Sequence, residues 1–134
     1  SIGDACIVAH CAEFGGVLME GVHLYHYMQI CGVLGRRTDI GAATVCGTLR
    51  FDDGCRLQNI KGYKETPHKG GNATFIGDFC RTGVNVMLMP GTKIGPYSAI
   101  GPGVLVTEDV PSNSLVLLQQ QFERRTWGPE RYGW

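Results

Sequence analysis

From position 76 onward the chain keeps a strict six-residue beat: Ile76, Thr82, Leu88, Ile94, Ile100 and Val106 are evenly spaced, and all but Thr82 are aliphatic. That period matches neither the alternation of a strand nor the 3.6-residue turn of a helix, and a period of six is the mark of a parallel β-helix. Glycine follows the beat at Gly77, Gly83, Gly95 and Gly101, and a small or β-branched residue sits four places after every leader: Cys80, Val86, Thr92, Ser98, Val104 and Val110. Each unit then reads as one short strand and one corner, with the leader pointing inward and glycine at a bend that a Cβ would crowd. Three units form a coil of about eighteen residues, and coils stack at the ~4.8 Å spacing of paired strands. No coil buries a core alone, so stability comes from stacking.

The frame extends upstream with irregularities. Ile2, Val8 and Phe14 keep the beat, a five-residue unit joins Met19 to Leu24, a four-residue unit joins Ile30 to Leu34, and Leu34, Ile40 and Cys46 return to six. The expected layout is an all-β parallel β-helix over residues 1–111, a loop excursion over 52–72 where charge rises and the beat disappears, and a tail over 112–134. Ser112-Asn113-Ser114 can cap a short helix over 115–125, and Trp127, Tyr132 and Trp134 are suited to covering a coil end or meeting another subunit.

The 20 glycines among 134 residues, roughly double the usual ~7%, are thus corner residues and not a sign of disorder. Twelve basic and twelve acidic residues cancel, which argues against nucleic acid or an anionic membrane as a partner. No apolar run reaches the roughly 18 residues of a membrane-spanning helix. Six cysteines at irregular spacing with no C-x-x-C fit free thiols in a reducing, cytoplasmic setting better than a disulfide framework. Asn72-Ala73-Thr74 matches the glycosylation pattern, and a three-residue match alone carries little.

The stretch from Phe75 to Gly95, with Arg81-Thr82-Gly83-Val84-Asn85 and Met89-Pro90-Gly91-Thr92-Lys93-Ile94-Gly95, closely resembles the C-terminal β-helix of the bifunctional sugar-1-phosphate nucleotidyltransferase/acetyltransferase family, in its archaeal-type branch. Ile40-Gly41-Ala42-Ala43-Thr44, Leu49-Arg50-Phe51-Asp52 and Ile60-Lys61-Gly62 resemble the same branch in the same order. The resemblance implies left-handed coils, although parallel crossovers are ordinarily right-handed. It also implies a homotrimer with acetyl-CoA in a groove between neighbouring helices. The implied chemistry is acyl transfer to an amino group of a sugar phosphate, with a His taking the amine proton and backbone N–H groups holding the oxyanion.

Carried over residue by residue, the resemblance makes His26 the candidate general base. It sets Gly83, Val84, Gly101 and Lys93 along the CoA groove, while Arg50, Lys61 and Lys69 of the basic loop become candidate phosphate contacts. Two departures make the constellation partly degenerate. His26 is followed by Tyr27-Met28-Gln29 where the family has an aromatic, Asn and Tyr, and Thr48 replaces an Asn before Leu-Arg-x-Asp. A trimeric β-helix can also hold zinc on three converging histidines, but His10, His23, His26 and His68 lack the required spacing, so no metal is expected. Two readings follow: a CoA-dependent acyltransferase acting on a small molecule, and a non-catalytic trimerisation or scaffold module.

Overall fold

In a computed structural model of the chain, which describes residues 1–68 and 72–132, the six-residue units become two-residue strands separated by tight corners. Strands one coil apart pair in parallel and build three walls. The first stacks Ile7–Val8, His23–Leu24, Asp39–Ile40, Arg81–Thr82, Ala99–Ile100 and Leu115–Val116 into one ladder. The second begins with the opening residues of Glu13–Leu18 and Gln29–Leu34 and continues through Val45–Cys46, Met87–Leu88 and Leu105–Val106. The third uses the closing residues of those two long strands, then Thr74–Ile76 and Lys93–Ile94. Bridges from Ile2 to Leu18 and from Ile94 to Val110 extend it at both ends. The chain is an all-β, left-handed β-helix with one long excursion.

Along each wall the last residue of a strand is the inward one in Leu24, Ile40, Leu34, Ile76, Leu88, Ile94 and Ile100, all of them buried. Burying one such side chain contributes roughly 1.5–3 kcal/mol, and its neighbours lie in the coils above and below. Thr82, the non-aliphatic leader, is accommodated because its Oγ1 accepts the Gly41 N–H at 2.9 Å and lies 3.3 Å from Thr44 Oγ1. A core hydroxyl is thereby satisfied.

Coil length departs from expectation. Eighteen residues separate Thr82 from its partner Ile100 and Leu88 from Val106, but Val8 faces Leu24, Leu24 faces Ile40 and Ile100 faces Val116, each a step of sixteen. The shorter coils reach the third wall after four residues, the first two through bends at Gly16 and Gly32 with φ of 137° and 158°, the last from Val106 to Val110 without a glycine. A Cβ at Gly16 would overlap the Gly32 carbonyl oxygen, and one at Gly32 would overlap that of Thr74. The inward residue after Phe14 is therefore Leu18, 2% exposed, and not Met19, 44% exposed. This corrects the five-residue unit inferred from the sequence.

The ladder also runs beyond 111, since Leu115–Val116 pairs with Ala99–Ile100. The helix anticipated over 115–125 is absent. The sole helix among the described residues is Pro129–Tyr132, and none is long and apolar enough to cross a membrane. Trp127 is exposed, with the Arg131 guanidinium 5.9 Å from its ring, and Trp134 lies outside the described residues.

The excursion leaves the second wall after Val45–Cys46 and returns at Thr74–Ile76. Within it Gln58–Ile60 and Tyr63–Glu65 form an antiparallel hairpin. Its two-residue turn, Lys61-Gly62, has φ of 49° and 87°, the type I′ signature. Three side-chain contacts fasten the excursion to the coils, and Asn72 clasps its two ends together. Gln58 Nε2 donates to the Gly91 carbonyl at 2.9 Å, and Lys93 Nζ donates to the Asn59 carbonyl at 2.7 Å. Asn72 accepts the Arg56 N–H and donates to the Gly54 carbonyl, both at 2.9 Å, and Arg56 pairs with Asp109 at 3.2 Å. Asn72 is 6% exposed, so the glycosylation-like triplet is a buried clamp.

Candidate functional site

His26 occupies the corner between the first and second walls. That corner is stiffened by its own hydrogen-bond ladder: Tyr27 N–H donates to the His10 carbonyl, Ala43 to His26, Asn85 to Ala42 and Gly103 to Val84, at 2.7–3.0 Å. Tyr27, Ala43 and Asn85 hold left-handed backbone there, a costly conformation that persists where surrounding bonds enforce it. His10, His26, Ala42, Val84 and Pro102 consequently form one outward column, one residue per coil. The His26 ring is solvent-exposed and stacks on the His10 ring at 4.8 Å and 19° between planes. Tyr25 and Tyr27 lie beside it at 5.6 and 6.3 Å.

Gly83, Val84 and Gly101 belong to the same corner, further along the column. Their glycines answer a packing demand, since a Cβ on Gly83 would stand 2.6 Å from Pro102 N. Between His26 and Val84 the column carries only the Ala42 methyl. Lys93 does not join these residues within one chain. It lies on the third wall, across the prism, where it holds Asn59 and stands 3.8 Å from Asp109.

Arg50 stands at a second concavity of about 450 Å³, where the excursion leaves the coils. Leu49, Phe51, Met89 and Pro90 supply its apolar surface, with Arg50 and Arg56 at the rim. The Arg50 guanidinium is engaged by Asp52 through two bonds, Nε at 2.9 Å and a terminal nitrogen at 2.7 Å. This pairing, with the Gly54 N–H, holds the Asp52 carboxyl well below the usual range. Lys61 sits at the exposed hairpin tip, and Lys69 lies outside the described residues. The thiols of Cys46 and Cys80 are pushed up by burial, which makes them inert packing groups.

Three features went unread in the sequence: the His10–His26 stack, the Asn72 clamp and the Asp109 link. Only the first had a local signal. Ala9-His10-Cys11-Ala12-Glu13-Phe14-Gly15-Gly16-Val17-Leu18 parallels Tyr25-His26-Tyr27-Met28-Gln29-Ile30-Cys31-Gly32-Val33-Leu34, one sixteen-residue coil later.

Comparison with known proteins agrees with this architecture. Residues 73–108 match the family described as bacterial transferase hexapeptide (six repeats). A bifunctional sugar-1-phosphate nucleotidylyltransferase/acetyltransferase of Sulfurisphaera tokodaii is 38% identical over 95 residues, covering 70% of this chain and 24% of that protein. The bifunctional protein GlmU of Methanococcus maripaludis is 35% identical over 109 residues, covering 81% of this chain and 26% of its own length. The chain therefore spans about a quarter of the length of these curated relatives. Among solved structures, serine acetyltransferase isoform 3 of Entamoeba histolytica, in complex with cysteine, superposes with a TM-score of 0.55. It covers 91% of this chain and 38% of that one at 16% identity, a likeness of fold alone. With its repeat, its long excursion and these relatives together, the chain is a hexapeptide-repeat β-helix homologous to the matching quarter of proteins named bifunctional sugar-1-phosphate nucleotidylyltransferase/acetyltransferase and GlmU.

Proposed function

We propose that this β-helix is a CoA-dependent acyltransferase module that moves an acetyl group from acetyl-CoA to the amino group of an amino sugar or its phosphate, working as a homotrimer in the cytoplasm. The observation that carries this reading is His26, an exposed imidazole on a hydrogen-bonded corner of a chain whose relatives are named for acetyl transfer. In the step envisaged the amine nitrogen attacks the thioester carbonyl while His26 accepts its proton. The C–N bond forms, the tetrahedral oxyanion collapses, the C–S bond breaks, and the departing sulfur takes up a proton as the CoA thiol. No acyl-enzyme is required.

Gly83, Val84 and Gly101 are the proposed floor of the CoA groove, which Lys93 would join from the wall of a neighbouring copy. Arg50, Lys61 and Lys69 are the proposed phosphate contacts, with Arg50 acting from the groove rim beside Asp52. Self-association is supported by area: the chain exposes 9158 Å², whereas a compact monomer of 14.6 kDa exposes roughly 6,900 Å². It is also supported by Val45, Met87 and Leu105, which make an exposed apolar stripe up the second wall. The six unpaired thiols favour a reducing compartment.

A scaffold role is the second reading. Met28, two places after His26, is 3% exposed and packs in the core, so it offers no polar group to orient an acceptor. The two readings part in one experiment. Incubation with acetyl-CoA and a panel of amino-sugar phosphates should release thiol, and His26→Ala should lower kcat by about 10²–10⁴-fold. No thiol release and no CoA binding by calorimetry would leave the scaffold. A monomer by light scattering would count against both.

A further inference from the structure

An imidazole on an exposed surface samples several rotamers, yet a general base must lie within about 2.6–3.2 Å of the proton it removes. Something has to hold the ring. We propose that His10 is a positioning residue for His26, an inference that rests on reading His26 as the general base.

The solenoid sets the geometry. His10 and His26 occupy the same place on successive coils, and their 4.8 Å centroid separation matches the spacing of stacked strands, so the repeat itself brings the rings into contact. The His10 backbone is itself held at this corner. Its backbone is left-handed at φ 46°, Cys11 follows at φ 63°, and its carbonyl accepts the Tyr27 N–H at 3.0 Å. The lower ring is thus tied to the corner that carries the upper one. Tyr25 and Tyr27 flank the His26 ring, with centroids 5.6 and 6.3 Å away. The next coil places Ala42 in the column. The His26 ring is therefore stacked on a ring in the coil before it, while the column continues in the coil after it with the small side chain of Ala42.

The test uses two substitutions in the assembled protein. His10→Asn removes the ring while keeping a residue that tolerates left-handed backbone, and His10→Phe restores a stacking ring without imidazole chemistry. His10→Asn should lower kcat roughly tenfold with KM for acetyl-CoA unchanged, because misplacing a catalytic group costs turnover. His10→Phe should recover most of that loss. In ¹H–¹³C spectra of the histidine rings, the His26 resonances should move in His10→Asn and return toward their native positions in His10→Phe. Unmoved His26 resonances in His10→Asn, or an equal loss of kcat in both variants, would overturn the proposal. Should the native protein transfer no acetyl group, the general-base reading fails by itself, and the ring resonances still decide whether His10 holds His26.

Discussion

Arg36 and Asp78 lie 42 residues apart in sequence and one coil apart in space, and the Asp78 carboxylate joins them by accepting the Arg36 backbone N–H at 2.8 Å and its guanidinium at 3.0 and 3.2 Å. The pair closes the corner between the third and first walls and joins the coil before the excursion to the coil after it. The backbone N–H of Arg36, followed by its guanidinium, holds the Asp78 carboxyl below its ordinary range. A carboxyl depressed in the folded state adds stability above its unfolded value of about 3.9, and that stability is lost as pH falls through the folded value. Since the Arg36 side chain is 62% exposed, the contribution is discounted for solvent screening. Asp78→Ala should cost about 1 kcal/mol at neutral pH by denaturant melt, with the gap from the native protein narrowing in acid. An undiminished gap at pH 2 would mean that charge is not the cause.

The inward register is tested at Ile94 and Ile100, both 2% exposed. Ile94→Asp or Ile100→Asp places an unpaired charge within the stacked core, where no partner is available. Neither variant should yield soluble folded protein. A cooperative melt near the native midpoint from either would refute the register.

Two glycines with positive φ should respond very differently to alanine. Gly32→Ala drives a methyl into the Thr74 carbonyl of the next coil, whereas Gly62→Ala, at φ 87° in the hairpin turn, meets nothing within 4 Å. The first should prevent stacking of the second coil on the third. The second should cost only the left-handed penalty of about 1–2 kcal/mol. Comparable melting points for the two would contradict the proposed cause of the sixteen-residue coil.

Asp109 anchors the excursion by pairing with Arg56 and by accepting the Lys93 backbone N–H at 3.0 Å. Asp109→Ala should speed amide exchange in the hairpin over 58–65 while leaving exchange in Ala99–Ile100 unchanged. Uniform acceleration through the coils would show that the link stabilises the solenoid as a whole.

Leu18 and Met19 show where sequence reading succeeds and where it stops. From Ile76 to Val106 a single spacing repeats, so inward leaders and corner glycines could be identified without coordinates. Upstream two apolar residues adjoin, and choosing Leu18 requires knowing that Gly16 bends the coil after four residues. The hairpin turn at Lys61-Gly62 carries a weak signal, because Lys stands at the left-handed position where type I′ turns favour Asn, Asp or Gly. The pairing of Arg50 with Asp52 depends on a local turn that composition does not show.

The six-residue beat by itself determined a stacked β-helix, because leader and corner recur within a few residues and their demands are local. Tertiary structure alone decided which coils are sixteen residues long, what Lys93 binds, and that the His10 ring stacks on His26. Those relationships join residues sixteen to forty-two positions apart, whose proximity exists only once the coils have stacked.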